Sequence, residues 1–305
     1  MERILGNSYF LPSQVVIGGY KVGDDLLLID TGNDDSSVRK AIRDFEGINV
    51  KAIFNTHSHA DHCGGNSYIQ RQFDVITIAP ELEHSFIEQP ILEPTYLYGA
   101  FPLKTLHNKF LLAKPSQVKW IITTETEIKI DLNGESHLFT LLPLKGHSPN
   151  MYGLITPDGI AYLGDALISE AMIEKHPLIF TYNVGEHLKS IERLRNLEAN
   201  GYVIAHGGVH DHIDHLCDAN MEVLVRTQNL ILNRLENSSC TIDEIHGFLF
   251  DAYNLSENVP QHLLNRSVVK AHLQYLVDLE KVIVQSKKGQ LYFELSQGDD
   301  KVIKL

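Results

Sequence analysis

Cysteine is scarce in this 305-residue sequence, and long apolar runs are missing from it. Its three cysteines, Cys63, Cys217 and Cys240, are an odd and scattered set. That set argues against a disulfide framework and favours a reducing compartment. Residues 1–14 lack the apolar core of a signal peptide, and no run of ~18 apolar residues suggests a membrane span. We therefore expect a cytoplasmic protein that does not associate with membranes.

Basic residues are also few compared with acidic ones. Lysine and arginine total 26 against 39 acidic residues, for a formal net charge of −13. This excess of acidic residues disfavours broad, nonspecific binding of nucleic acid, because phosphate binding depends on clustered basic side chains. Hydrophobic residues make up 43% of the chain, which is typical of a globular protein. The expected partner is a small-molecule substrate. Nucleic acid is disfavoured but left open, as is a homodimer.

The first third of the chain alternates between strand and helix patterns. Residues 14–30 predict a β-hairpin whose second strand, Leu26 to Ile29, is buried. A helix follows, with Val38, Ala41, Ile42 and Phe45 on one face. Short apolar strands are then predicted at residues 52–54 and 75–78. This order is typical of an α/β domain.

Residues 84–118 break the periodicity with prolines and aromatic residues. A long irregular insertion in a compact domain is usually functional or disordered, and the aromatic content favours an ordered lid or wall. Two roles stay open for Tyr96, Tyr98 and Phe101. They could line a substrate pocket, or they could pack the insertion against the domain.

Regular patterns return after the insertion. Hairpins are predicted around Asn133-Gly134 and around residues 157–159, followed by a helix at 185–198 and a strand at 202–205. From residue 220 onward the apolar pattern is typical of helices, and Thr241 to Glu244 has the form of a capping box at the start of one of them. A further helix at 268–279 and a two-stranded wing at 282–295 complete the pattern. We predict a catalytic domain at residues 1–220 and a winged-helix-like domain at 221–305.

The stretch THSHADHCGG, residues 56–65, concentrates side chains that can bind metal. His57 and His59 are two apart on an extended segment, so they point the same way and can share one ion. Asp61 and His62 follow as the chain turns into a helix, so they face a second position. Zinc accepts histidine nitrogens and carboxylate oxygens, and catalytic sites leave a place for water.

Three further candidates each follow a predicted strand: His147, Asp165 and His206. His147 completes a three-histidine site with His57 and His59, and His206 completes a second site with Asp61 and His62. Asp165 can bridge the two through its two oxygens. His206 is preferred over other histidines in its loop because it directly follows a strand. Cys63 is interpreted as a small buried residue behind the site, although a nucleophilic role is the alternative.

The strand end at Asp30, the HxHxDH run at 57–62 and the later His147, Asp165 and His206 together resemble the metallo-β-lactamase fold superfamily. The resemblance implies a four-layer αβ/βα sandwich with a dinuclear site at one edge. It is closer to glyoxalase II-like and lactonase-like hydrolases, because an aspartate stands at 165 where many true β-lactamases use cysteine. The C-terminal part is similar to the winged-helix appendage of some members.

The same resemblance implies roles for individual residues. Asp30 supports the ligands without binding metal, and Asp61 is both a ligand and a proton acceptor, so these two are the catalytic candidates. The expected activity is hydrolysis of an ester, thioester, lactone or similar carbonyl substrate by a hydroxide that bridges two divalent ions. Zinc is favoured, with manganese and iron(II) as alternatives.

Three other functions remain open at this point. One is a metallonuclease or phosphodiesterase that acts on RNA or DNA. The winged-helix-like tail could bind the nucleic acid and present it to the metal site. Another is a mononuclear iron dioxygenase with its metal on His57, His59 and Asp165. The third is a binding module with a vestigial metal site, although retention of every ligand position argues against it.

Overall fold

Two β-sheets face each other in the computed structural model, which describes residues 1–43, 45, 47–256 and 258–296. The first sheet has seven strands in chain order; β1 to β4 pair antiparallel, and β4 to β7 pair parallel. Its strands are β1 (Glu2–Leu5), β2 (Ser8–Leu11), β3 (Ile17–Val22), β4 (Asp25–Ile29), β5 (Asn49–Phe54), β6 (Ile76–Pro80) and β7 (Trp120–Ile122).

The second sheet has six strands in the order β13-β12-β11-β10-β9-β8, in which only β11 and β12 are parallel. Its strands are β8 (Glu127–Leu132), β9 (Glu135–Pro143), β10 (Tyr152–Ile155), β11 (Ile160–Tyr162), β12 (Gly201–Ile204) and β13 (Gly208–His210). The two predicted hairpins are β8–β9 and β10–β11. Strands β1 and β2, which the sequence patterns did not indicate, extend the edge of the first sheet.

Helices cover the outer face of each sheet. The helices of this part of the chain are α1 (Asp35–Arg43), α2 (Ala60–Cys63), α3 (Asn66–Gln72), α4 (Glu83–Glu88), α5 (Leu92–Tyr98), α6 (Glu170–Lys175) and α7 (Val184–Arg195). Apolar side chains from both sheets, such as Phe54 and Phe139, form the central core. Val38 of α1 packs in a second core outside the first sheet, and Ile191 of α7 packs outside the second. The predicted four-layer αβ/βα sandwich is thus confirmed.

Within the described residues, the C-terminal part contains three helices and a hairpin. They are α8 (Asp214–Leu235), α9 (Ile242–Tyr253), α10 (Val259–Asp278), β14 (Val282–Lys287) and β15 (Gln290–Leu295). These elements share a core of their own, which includes Leu249 and Leu276. The predicted boundary at residue 220 falls within the continuous helix α8, and residues 297–305 lie outside the described part. The two-domain division and its winged-helix character therefore stay predictions.

The insertion at residues 84–118 is an ordered wall. It contains most of α4, all of α5 and a 3₁₀ turn at Lys104–Leu106. Leu97, Leu106 and Leu111 pack together, and Leu263 and Leu264 of α10 lie against them. The insertion therefore packs against the C-terminal helix α10. Among the described residues, no helix is long and apolar enough to cross a membrane.

Thr241 caps α9 as its sequence predicts. The Thr241 hydroxyl accepts a hydrogen bond from the backbone N–H of Glu244, and the Glu244 carboxylate accepts one from the backbone N–H of Thr241. We expect Thr241→Ala to lower the free energy of unfolding by about 1 kcal/mol, since one helix donor loses its partner. Urea denaturation measures this loss. Thr241→Ser should retain the stability, and equal losses in both variants would contradict the capping role.

Candidate metal centre

A change of backbone direction divides the motif at residues 57–62. The backbone at His59 is extended (ψ 145°), and Ala60 begins the single-turn helix α2. The side chains of His57 and His59 therefore point to one position, and those of Asp61 and His62 point to another. Local geometry separates the two halves as the sequence predicts.

The first group consists of His57, His59, His147 and Asp165. His59 Nδ1 lies 3.0 Å from His57 Nε2 and 3.0 Å from His147 Nε2. Asp165 Oδ2 lies 3.4 Å from His147 Nε2. One donor atom from each of the four side chains lies within 4.8 Å of the others. The loops after β5, β9 and β11 supply these residues, so parts of both sheets meet here.

The second group consists of Asp61, His62 and His206, whose donor atoms also lie within 4.8 Å of one another. His206 Nε2 is 3.3 Å from Asp61 Oδ2. Asp165 lies between the two groups, with Oδ1 3.3 Å from His62 Nε2 and Oδ2 3.4 Å from His206 Nε2. All seven candidate ligands therefore converge, with Asp165 at the junction.

Hydrogen bonds outside the two groups orient the imidazole rings. The Thr56 hydroxyl donates to Asp30 Oδ2 over 2.8 Å, so its oxygen accepts from His57 Nδ1 at 3.0 Å. The Phe180 carbonyl can only accept, so His147 Nδ1 donates to it at 3.2 Å. In each ring the proton lies on Nδ1, which leaves the Nε2 lone pair directed into the site. This arrangement is typical of metal-binding histidines.

Asp30 connects the strand end of β4 to the ligand loop. Its Oδ1 accepts from the Thr56 backbone N–H and its Oδ2 from His62 Nδ1, each over 2.8 Å. The residue has φ +59°, a left-handed conformation that aspartate tolerates better than bulkier residues do. Asp30 thus lies behind His62 and Thr56, the position expected of a supporting residue.

The electrostatics of the two groups fit divalent cations. Burial lowers the pKa of His57 and His147 well below the usual value, which keeps both rings neutral, as metal binding requires. Burial raises the pKa of Asp61, but the hydrogen bond from His206 and the charges of His62 and His206 together outweigh it and lower the pKa to about 2. His62 Nε2 and Asp165 Oδ1 are buried without a hydrogen-bond partner within the described residues. Bound cations would satisfy both atoms.

Glu83 is a buried residue of the site that the sequence analysis missed. Its Oε2 accepts from the backbone N–H and the hydroxyl of Ser58, at 3.0 and 2.6 Å. Its Oε1 accepts from the Ser148 hydroxyl at 2.7 Å and the Asn150 backbone N–H at 2.8 Å. One carboxylate therefore ties the loop of His57 and His59 to the loop of His147. The only sequence signal is indirect: a serine stands beside a ligand in each loop.

Two glycines allow the ligand loops to approach neighbouring backbone. Gly146 has φ +122°, and a Cβ atom there would lie 2.1 Å from the backbone nitrogen of His187. A Cβ atom at Gly64 would lie 2.2 Å from the carbonyl oxygen of Asn33. Both glycines thus permit close backbone packing, because any side chain would overlap main-chain atoms.

A cavity of about 360 Å³ opens onto both groups. His59, Asp61, His147 and Asp165 lie at its floor. Its walls are mainly apolar and include Phe110, Leu111, Ile168, Leu178, Phe180 and Leu264. Among the described residues, neither lysine nor arginine lines this cavity. The insertion and helix α10 thus contribute a wall that contains apolar side chains together with Glu93, Gln261 and Asn265.

The aromatic residues singled out in the insertion are absent from the described lining of this cavity. The ring of Tyr96 instead packs edge-on against Phe86 and Tyr182, with centroids 6.0 and 6.5 Å apart. Tyr98 lines a separate groove, and Phe101 is 79% exposed. The structure therefore favours the packing alternative for Tyr96, and none of the three is among the described residues that line the metal-site cavity.

Cys63 is buried behind the site. Its thiol donates to the Ser58 carbonyl over 3.2 Å, and burial raises its pKa well above the usual value. A buried thiol of raised pKa is a poor nucleophile. The interpretation of Cys63 as a small packing residue is consistent with this environment.

Residues 11–206 match the pattern of the Metallo-beta-lactamase superfamily. The chain is 25% identical over 241 residues to the probable metallo-hydrolase YflN of Bacillus subtilis, which covers 67% of this chain and 81% of that protein. It is 39% identical over 75 residues to the probable metallo-hydrolase YybB of the same bacterium, covering 23% and 33%. Over 86 residues it is 34% identical to Ribonuclease J of Mycoplasma genitalium, covering 25% and 15%. The last two matches thus span a third or less of the relatives' length.

Solved structures agree with this fold. A metallo-beta-lactamase family protein from Thermus thermophilus superposes with a TM-score of 0.73 at 19% identity, covering 94% of this chain and 98% of that one. The metallo-beta-lactamase SMB-1 superposes with a TM-score of 0.53 at 15% identity, covering 74% and 94%. The superfamily resemblance is confirmed, whereas the glyoxalase II-like subgroup stays a prediction. Because the superfamily pattern matches more than half of its length, this chain belongs to the metallo-beta-lactamase superfamily.

Proposed function

We propose that this chain is a dinuclear metallo-hydrolase of uncharged carbonyl substrates such as esters, thioesters or lactones. The observation that carries the proposal is the pair of His/Asp groups joined by Asp165 at the floor of an apolar cavity. The residues of the first group would hold one ion, those of the second group the other, and Asp165 both. Nitrogen and carboxylate donors of this kind suit zinc.

The chain's own residues divide the remaining work. Bound divalent ions would supply a nucleophile from water near neutral pH and polarise the substrate carbonyl. The Asp61 carboxylate lines the cavity and is 27% exposed, so it can accept a proton on the substrate side. Asp30 keeps His62 and Thr56 in place. The apolar walls would hold the substrate's hydrocarbon part and exclude bulk water.

The lining of the cavity favours a carbonyl substrate over a nucleic acid. Lysine and arginine supply most of the affinity for a phosphate backbone, and the described lining contains neither. The formal net charge of −13 adds to this difference. The similarity to Ribonuclease J favours a nuclease as the second candidate, although it covers only 25% of this chain. A small neutral substrate therefore fits the site better.

A panel assay tests the proposed function. Purified protein reloaded with zinc or manganese should hydrolyse at least one of a set of p-nitrophenyl esters, acyl thioesters and lactones. His59→Ala should be inactive, because it removes the nitrogen that lies 3.0 Å from both His57 and His147. An inactive wild-type protein with full metal content would overturn the proposal.

Two further measurements separate the alternatives. Incubation with labelled RNA and single-stranded DNA should leave both intact; cleavage that His59→Ala abolishes would establish the nuclease. Elemental analysis of freshly isolated protein should find two metal ions per chain. A single iron instead would favour the mononuclear dioxygenase.

A further inference from the structure

Glu93, the second residue of α5, is a buried acid in the wall of the metal-site cavity. Its side chain comes from the insertion, and the residue is only 7% exposed. The lining around it is mostly apolar. Glu93 thus stands out as a polar group that neither of the two His/Asp groups uses.

Two other polar residues of the lining, His187 and Asn220, already have partners. The ring nitrogens of His187 lie 3.2 Å from the Thr181 hydroxyl and 3.1 Å from the Ala166 carbonyl. The Asn220 amide accepts from the Ile168 backbone N–H at 3.1 Å and donates to the Ile168 carbonyl at 2.8 Å. These side chains therefore support the surrounding structure.

Glu93 differs from His187 and Asn220 because its side chain has no such partner in the described part of the chain. Within the described residues no hydrogen bond reaches its carboxyl group, although the residue as a whole is more than nine-tenths buried. Its oxygens are not among the fully buried atoms without a partner, so they reach the open space of the cavity. A polar group that is buried without a hydrogen bond lowers the stability of the fold. Groups that cost stability in this way are concentrated at functional sites, where a ligand supplies the missing partner.

We propose that Glu93 determines substrate specificity by accepting a hydrogen bond from an amide N–H or a hydroxyl on the acyl part of the substrate. This inference rests on the proposed hydrolysis of a carbonyl substrate at the floor of the same cavity. Burial, followed by the negative charges of Asp61 and Glu83, raises the pKa of Glu93 well above its usual range. A neutral donor therefore suits this position better than an ammonium group does.

Two esters that differ by one group test the inference. The p-nitrophenyl ester of N-acetylglycine carries an amide N–H, and the p-nitrophenyl ester of 4-oxopentanoic acid has a CH₂ in its place. The zinc-loaded wild-type protein should hydrolyse the amide ester with a kcat/KM roughly 10- to 100-fold higher, after correction for spontaneous hydrolysis, because the keto ester leaves Glu93 without a partner.

Two substitutions assign that preference to Glu93. Glu93→Leu should bring the ratio of the two kcat/KM values close to one by slowing the amide ester alone. Glu93→Gln keeps an acceptor oxygen and should lose only part of the preference. Glu81→Gln, an exposed glutamate in the preceding segment, is the matched control and should behave as the wild type does.

The outcomes separate this inference from the proposed function. A wild-type protein that hydrolyses neither these two esters nor any other substrate of the panel overturns both the proposed function and this inference. Hydrolysis of other panel substrates but of neither ester overturns the inference alone. Hydrolysis of both esters at similar rates, or an unchanged ratio in Glu93→Leu, overturns the inference alone.

Thermal denaturation supplies the second readout: Glu93→Leu should melt at the same or a higher temperature with full metal content, because it removes an unpartnered buried acid. A lower melting temperature would indicate a structural role and would overturn the inference.

Discussion

Asp165→Ala will abolish hydrolysis and lower the metal content from about two ions per chain to below one. The physical reason is the position of its carboxylate, 3.3 to 3.4 Å from nitrogens of His62, His147 and His206. Without this residue, both groups lose the carboxylate that lies between them, and the negative charge at the junction is lost. Since partners outside a metal site alter affinity by about 10- to 100-fold, a shared ligand should exceed that range.

Elemental analysis and competition with a coloured zinc chelator measure this effect. Asp165→Asn keeps the shape of the side chain but removes its charge, so it should also lose most of the metal. Asp131→Asn, an exposed aspartate on β8, is the control and should retain both ions. Two tightly bound ions in Asp165→Ala would contradict the shared position. Circular dichroism should show that the variant keeps its secondary structure.

Glu83→Ala will weaken both the fold and the metal site. It leaves the buried backbone N–H groups of Ser58 and Asn150 without an acceptor. Each unsatisfied buried donor costs about 1–3 kcal/mol, so the free energy of unfolding should fall by about 2–6 kcal/mol. The two ligand loops would also lose their connection, and the zinc affinity should fall by about 10- to 100-fold.

Glutamine provides a graded comparison at position 83. It can replace one oxygen, but its amide nitrogen would face a backbone N–H at Ser58 or Asn150, where both groups donate. Glu83→Gln should therefore lie between the wild type and Glu83→Ala in urea denaturation. The visible absorption of cobalt-substituted protein reports ligand geometry, and it should change in both variants but not in the control Glu81→Gln. An unchanged cobalt spectrum in Glu83→Ala would contradict the positioning role.

The local patterns of the chain sufficed for much of the fold. Hairpin turns, capping residues and apolar periodicity are properties of neighbouring residues, so they predicted β8–β9, β10–β11, α7 and α9 with small errors at their ends. The start of helix α10 differed more from its prediction. The helix begins at Val259 after an Asn258 cap, whereas the predicted helix began at residue 268. Strands β1 and β2 were missed, since they are short and only partly buried.

The candidate ligands could also be found from the sequence, because HxHxDH is one short segment and each later ligand follows a strand. Glu83 and Glu93 could not be found in this way. Their significance depends on which distant groups surround them: Ser148 lies 65 residues from Glu83 along the chain. The same holds for the cavity, in which α10 packs against the insertion above the motif at 57–62.

The sequence by itself thus determined the superfamily, most of the order of the elements and the candidate metal ligands, since each depends on the chemistry of short segments. Only the tertiary structure decided which side chains face one another across those segments. It placed an apolar wall without lysine or arginine over the two His/Asp groups, in the part of the chain that it describes. It also left Glu93 buried in that wall. Substrate selection depends on this long-range packing, because a cavity is formed by residues that are far apart in the chain.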